Sequence, residues 1–251
     1  MSRPGYRSKD PAHDTQTQEP RPLTRAEACK RLIGDLNTYT IGNRGRILAL
    51  EHRRKETQST PSFKVEEFLK IGETTCFQRL IAKENEEAAR NEALSVIAQL
   101  IEAEKEKLFI SHICEMPKAS RLAEGADPIL AGQISVVYSL IAQMLVLVVQ
   151  DDKFVVKETV VKTLFGTEES WQASLVLLKQ LVKCTPNIRY CIVDGVQRLE
   201  RTGIEEREAA DVRRYRELIL ALSFSPRDDR SSCSTLFTVS GTKGALDNII
   251  D

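Results

Sequence analysis

RYCIVDGVQRLE, residues 189–200, places a run of apolar residues directly before an aspartate and a glycine. A short apolar run bounded by turn residues is typical of a strand buried on both faces, so we predict a core strand over Tyr190 to Val193. Asp194 then lies at the carboxyl end of that strand, where open α/β sheets bind their ligands. The Asp194-Gly195 pair also favours a tight turn, and the two interpretations are compatible.

Two further strands are predicted, over residues 108–114 and 234–240. Helical patterns separate the three strands, at Ser170 to Val182 and at Glu205 to Leu222, where apolar residues recur at helical spacing. Strands that alternate with helices form parallel sheets, because each crossover returns the chain to the same end of the sheet. The sequence therefore predicts an α/β fold with a parallel sheet of about three to five strands flanked by helices.

The chain before residue 108 has a different pattern. Residues 1–23 are polar and contain several prolines, which indicates a disordered tail. Thr24 and Glu27 have the spacing of a capping box that starts a helix. A long amphipathic helix is predicted from about Cys76 to Lys107. We therefore divide the chain into a tail (1–23), a helical region (24–107) and an α/β domain (108–251).

Composition limits the classes of partner. The chain has 36 basic and 36 acidic residues, so no net field attracts nucleic acid and no nucleic-acid partner is expected. The six cysteines include no C-x-x-C pair, which argues against a zinc site and favours a reducing, cytoplasmic location.

The densest basic run lies in residues 44–55 and is broken by Glu51. We interpret it as a solvated face, with an anion site as the alternative.

Residues 128–150 contain no charged side chain and are long enough to cross a bilayer. Gln133 and Gln143 lie within the segment, and Asp127 and Asp151 flank it where basic anchors would be expected of a membrane span. A helix buried on most sides inside an α/β domain has the same composition. We predict a buried helix, with a transmembrane helix as the alternative.

Four pieces of sequence from residue 108 onward occur in a characteristic order. The helix motif VYSLIAQML (137–145) is followed by a helix with Trp171, a strand ending in Asp194, and the strand end LFTVS (236–240). This order resembles the nucleotide-binding domain of fungal STAND-type P-loop NTPases, the NACHT-related family. The resemblance implies that Asp194 belongs to the Walker B strand and holds Mg²⁺, and that Thr238 lies on the sensor strand beside the nucleotide. Members of the family continue beyond that strand, so the resemblance implies an incomplete P-loop NTPase-like domain over 108–251.

The chain differs from that family in the phosphate-binding loop and in the residues after Asp194. No G-x-x-x-x-G-K-[ST] string exists in the sequence, so the backbone cradle and lysine that bind phosphates are missing. Gly72 is the candidate relic of the first loop glycine, and Glu73 beside it would repel phosphate. Gln197 and Arg198 stand where the family has the acidic pair that prepares water for attack. We therefore expect no ATPase activity and no bound cofactor.

Three hypotheses for function follow. The first is a degenerate NACHT/STAND-like protein that acts through contacts with protein partners or in regulation. The second is a divergent Mg-dependent ATP- or GTP-binding NTPase, in which Asp194 holds Mg²⁺ and Lys243 or Arg79 replaces the loop lysine. The third is an accessory protein of a fungal metabolite gene cluster, an idea that rests on the ancestry alone.

Overall fold

The computed structural model of the protein describes residues 24–42, 44–55, 67–68, 70, 78–102, 109–148, 160, 162–185, 187–201, 205–223, 233–240 and 246. The expected tail (1–23) and Gly72 lie outside these described residues.

The described part of the chain contains one parallel sheet. Its strands are β1 (Gln78–Lys83), β2 (Phe109–Ile113), β3 (Tyr190–Asp194) and β4 (Ser234–Ser240). They lie in the order β1-β4-β3-β2, with every neighbouring pair parallel. The predicted α/β fold with a parallel sheet flanked by helices is therefore confirmed at this level.

Helices connect the strands on both sides of the sheet. They are α1 (Arg25–Tyr39), α2 (Arg46–Lys55), α3 (Glu86–Glu102), α4 (Pro128–Val148), α5 (Glu168–Cys184) and α6 (Glu205–Leu222). Short 3-10 helices follow β2 at Ala119–Arg121 and β3 at Val196–Leu199. The predicted capping box is present, because the Thr24 side chain accepts from the Glu27 N–H while the Glu27 carboxylate accepts from the Thr24 N–H.

The predicted long helix from Cys76 to Lys107 is wrong in its first part. Residues 78–83 form β1, which pairs along its length with β4. The helix begins only at Glu86, where the Asn85 side chain accepts a hydrogen bond of 2.9 Å from the Ala88 N–H and so caps it. The region expected to be helical (24–107) therefore contains an edge strand of the same sheet as the strands after residue 108.

The two faces of β3 contact different helical layers. Cys191 and Val193 belong to a core shared with α1, α4, α5 and α6. Tyr190 and Ile192 face a second core, shared with α2 and α3. This alternation is the period of a strand buried on both faces, as parallel sheets between two helical layers require. The sheet is thus the central layer of a three-layer fold.

Helix α4 is the uncharged segment of the sequence analysis, and it lies inside the fold. Its length and mean hydropathy of 1.8 would suffice to cross a membrane, but 78% of that window is buried in the structure. Its polar side chains have partners there. Gln143 accepts from the Ser111 N–H at 3.2 Å and donates to the Ser111 carbonyl at 2.9 Å, which joins α4 to β2. The predicted buried helix is confirmed over residues 128–148.

Two glycines in helices test this packing with the same chemical change. A methyl group on Gly132 of α4 would meet the buried Leu199 side chain, whereas nothing lies within 4 Å of one on Gly34 of α1. We expect Gly132→Ala to lower the free energy of unfolding by about 1–3 kcal/mol through overpacking. Gly34→Ala should raise it by up to about 1 kcal/mol through helix propensity. Urea unfolding of both variants measures the difference, and a stabilising Gly132→Ala would contradict the packing of α4 against the turn after β3.

Candidate functional site

The carboxyl end of β3 leads directly into a tight turn. Gly195 adopts a left-handed conformation with φ of 80°, and its N–H donates to the Thr238 carbonyl at 2.9 Å. The Cys114 N–H donates to the Asp194 carbonyl at 2.8 Å, so the backbone of Asp194 is held from the β2 side as well. The turn predicted for Asp194-Gly195 is present. It fixes the direction of the Asp194 side chain.

The structure brings together two of the candidate site residues, Asp194 and Thr238. They lie opposite each other in the β3–β4 register, and the Thr238 hydroxyl donates to Asp194 Oδ1 at 2.7 Å. Asp194 is only 1% exposed. The third predicted site residue, Gly72, lies outside the described residues and precedes β1 in the sequence.

An arginine that sequence reasoning missed contacts the same carboxylate. Arg90, on the second turn of α3, has its Nε 3.6 Å from Asp194 Oδ2. The position of Arg90 depends on where α3 begins. The predicted helix began at about Cys76 instead of Glu86, so the sequence did not place Arg90 near the end of β3. The boundary signal was Asn85, a helix-capping residue directly before a helical pattern. Asp194 is therefore faced by a hydroxyl donor on one oxygen and a guanidinium beside the other.

Gln197 and Arg198, in the 3-10 helix after β3, contact neighbouring elements at this end of the sheet. Arg198 donates to the Cys114 carbonyl at 3.0 Å and to Glu86 Oε2 at 2.8 Å. Gln197 donates to the Ser240 hydroxyl at 2.9 Å. Arg198 thereby joins the turn after β3 to the end of β2 and to the first turn of α3. Both side chains therefore make structural contacts at this end of the sheet.

The connection from β1 to α3 is short and acidic. Only Glu84 and Asn85 separate the strand from the helix, whose first turn carries Glu86 and Glu87. Acids there stabilise a helix N-terminus, but they oppose the anion binding for which such a terminus is otherwise suited. Of the two proposed replacements for a loop lysine, Lys243 lies outside the described residues. Arg79 lies on β1 at the level of Ile192 in β3, two residues before the level of Asp194.

Burial sets the protonation of the groups at this end of the sheet. It raises the pKa of Asp194, against the opposing effects of the Thr238 hydrogen bond and the Arg90 and Arg198 charges. It also raises the pKa of the Cys114 thiol well above its usual value, and the nearby Asp194 adds to that effect. Cys114 therefore stays a thiol and is no nucleophile at neutral pH. Among the described residues at this place, Asp194 is the buried carboxyl group, Arg90 and Arg198 bring guanidinium groups, and the Cys114 thiol is not activated.

The donor set around Asp194 does not fit a magnesium ion. Mg²⁺ requires near-octahedral oxygen ligands, of which proteins usually supply carboxylates. Here a single carboxylate accepts from Thr238 and has the Arg90 cation 3.6 Å away, where it would repel a second cation. Among the described residues, no group of three histidine, cysteine, aspartate or glutamate side chains is placed to hold a metal ion. The predicted role of Asp194 as a Mg²⁺ ligand has no support in this geometry.

The raised pKa of Asp194 makes the stability of the protein depend on pH. A carboxyl group whose pKa is higher in the folded state stabilises the fold fully below its unfolded pKa, and this stabilisation is lost as the pH rises through the folded pKa. We expect Asp194→Asn to gain stability relative to the wild type as the pH rises above about 4, the ordinary pKa of an aspartate. Urea unfolding at a series of pH values measures the difference. Asp35→Asn, on the exposed side of α1, is the matched control, and a difference that shrinks with pH would contradict the assignment.

No protein-family model, curated protein or solved structure matches the chain. The resemblance to NACHT-related NTPases therefore stays a prediction, carried by the motifs quoted from the sequence. What the structure establishes is a parallel α/β fold with a buried aspartate, a threonine and two arginines at the carboxyl end of its sheet.

Proposed function

We propose that this chain is an NTPase-like scaffold, resembling the NACHT-related family, that does not hydrolyse nucleotides and acts through contacts with other proteins. The observation that carries the proposal is the contact of Arg90 with Asp194. A guanidinium group beside the carboxylate supplies inside the protein the positive charge that a bound metal would bring in an NTPase.

Charge at the end of the sheet opposes nucleotide binding in two ways. The acids of the short β1–α3 connection lie between a strand and the start of a helix, which is where a phosphate-binding loop would lie, and they would repel phosphate. The sequence also lacks the loop lysine and the backbone cradle that bind a polyphosphate. Each of their charge-assisted hydrogen bonds would contribute about 1.5–3 kcal/mol. Several missing bonds of that strength lower the affinity by orders of magnitude. These features support a role without nucleotide chemistry.

Displacing Arg90 from Asp194 would lower the stability of the fold. Asp194 is almost fully buried, and removing a partner from a buried charge is strongly destabilising. A metal ion would have to replace Arg90 and find further oxygen ligands in the same space. The internal contact therefore competes directly with cofactor binding.

An exposed apolar pair offers a surface for protein contacts. Ile47 and Leu50 lie three residues apart on α2, so they occupy neighbouring positions on one helix face. They are 70% and 45% exposed. Helix α3, which belongs to the predicted amphipathic helix, serves less well as a partner surface, because most of its apolar residues are buried in the core.

Equilibrium titration with Mg-ATP and Mg-GTP tests the first half of the proposal. We expect no saturable binding and no release of phosphate by the wild type, because the charges at this end of the sheet oppose the ligand. Asp194→Ala and Asp35→Ala should behave like the wild type. Micromolar binding that Asp194→Ala abolishes and Asp35→Ala leaves intact would overturn the proposal in favour of a divergent NTPase.

Affinity purification from the source cells tests the second half. An Ile47→Asp/Leu50→Asp variant places two charges on the exposed face of α2, so we expect it to recover fewer of the proteins that co-purify with the wild type. Leu220→Asp is the control, since Leu220 is an exposed leucine on α6. Unfolding curves of both variants should match the wild type. An unchanged set of co-purified proteins would contradict the assignment of this face.

A further inference from the structure

A second place in the fold has the features of a ligand site, and it lies far from Asp194. A cavity of about 220 Å³ opens beside the start of β2. Because the strands are parallel, the start of β2 and the end of β3 lie at opposite ends of the sheet. The cavity is lined by Arg44, Arg46, Phe109, Ile110, Gln143, Val146 and Leu147.

Two arginines bring positive charge to this cavity. The Arg44 guanidinium donates to Asn37 Oδ1 at 3.4 Å and makes no ion pair with any residue that the structure describes. The Arg46 guanidinium lies 4.7 Å from the centre of the Phe109 ring, stacked over its face. Burial lowers the pKa of Arg44, and the charge of Arg46 lowers it further. Like charges held together beside a cavity favour an anion between them.

The turn that carries the two arginines is firmly held. The Ser111 hydroxyl donates to the Arg44 carbonyl, which joins the turn to β2. Gly45 has a φ of 75°, and a Cβ there would lie 2.8 Å from Ile97 Cδ1 of α3. A residue other than glycine would be strained and crowded at this position. The arginines therefore project from a fixed support and not from a free loop.

The remaining walls of the cavity are mostly apolar. Phe109 and Ile110 come from β2, and Val146 and Leu147 come from the last turn of α4. Ile110 is buried, while Val146 is 52% exposed and lies at the rim. The one uncharged polar side chain among the lining residues, Gln143, uses its amide group to join α4 to Ser111. The cavity thus combines a cationic side with an apolar side.

We propose that this cavity binds a small organic anion, a carboxylate or phosphate monoester whose remaining part is apolar. The guanidinium groups of Arg44 and Arg46 would bind the anionic group, since planar guanidinium donors match carboxylate and phosphate oxygens. The apolar part would contact Ile110, Val146 and Leu147. A cavity of about 220 Å³ has room for a ligand of the size of benzoate.

Isothermal titration calorimetry with four probes tests the proposal. Benzoate and phenyl phosphate carry both features, benzyl alcohol lacks the charge and inorganic phosphate lacks the apolar part. We expect saturable binding of one or both aromatic anions and at least about tenfold weaker binding of the other two probes. Which aromatic anion binds more tightly distinguishes a carboxylate ligand from a phosphate ester.

Two pairs of variants assign the binding to this cavity. Arg44→Gln/Arg46→Gln should weaken the binding of the aromatic anion by at least about tenfold, whereas Arg213→Gln, an exposed arginine on α6, should not change it. Val146→Asp places a carboxylate at the rim and should weaken binding while the unfolding curve stays that of the wild type. Val176→Asp on α5 is its control, because Val176 is similarly exposed at 49%. The valine pair keeps the test valid even where the arginine variant folds poorly.

The proposal is overturned by any of three results. The first is that neither aromatic anion binds saturably. The second is that benzyl alcohol or inorganic phosphate binds as tightly as the aromatic anions, and the third is that Val146→Asp and Val176→Asp bind alike. None of these results depends on whether the protein binds Mg-ATP.

Discussion

The pairing of β3 with a parallel strand on each side is the constraint on which the rest of this structure depends. Tyr190 to Asp194 is buried throughout and lies between β2 and β4. The two faces of β3 contact different helical layers. A register shift of one residue would therefore move Cys191 and Val193 into the core of α2 and α3, and Tyr190 and Ile192 into the other core. The register is therefore strongly specified. It places Asp194 opposite Thr238, whose hydroxyl donates to the carboxylate.

A buried carboxylate in that position needs partners, and the chain supplies them from elements that arrive from elsewhere in the fold. Thr238 comes from β4 and Arg90 from α3, while Arg198 joins the turn after β3 to α3 and to the end of β2. A similar use of arginine is seen where α4 and α6 meet. There Asp211 is contacted by Arg201 and Arg214, and its Oδ1 accepts from Gln133 at 2.8 Å. Ion pairs at both places join separate elements of the fold, which is a structural role.

Much of the fold was accessible from the sequence because its signals are local. The apolar run before Asp194 predicts β3, and capping and periodicity predict α1, α5 and α6. β1 was missed because Leu80 and Ile81 are flanked by Arg79 and Lys83, so the strand has a weak apolar signal beside a strong helical one. Pairing with β4, more than 150 residues later, makes it a strand. No local pattern contains that information.

The candidate sites show the same limit. Asp194 and Thr238 were predicted through the resemblance, whereas Arg90 needed the correct start of α3 and the distance to β3. The basic run interpreted as a solvated face contains Arg44 and Arg46, which the fold places beside an apolar cavity that residues 109–110 and 143–147 complete. The number of charges in a segment of sequence does not show which arginines line a cavity, because the other walls of this cavity come from β2 and α4.

A crystal structure grown with Mg²⁺ and a non-hydrolysable ATP analogue would show which cation faces Asp194. We expect the Arg90 guanidinium beside Asp194 and Arg198 on Glu86, with neither metal nor nucleotide at the carboxyl end of the sheet. A structure with Mg²⁺ coordinated by Asp194, a triphosphate beside α3 and Arg90 turned away would contradict this expectation.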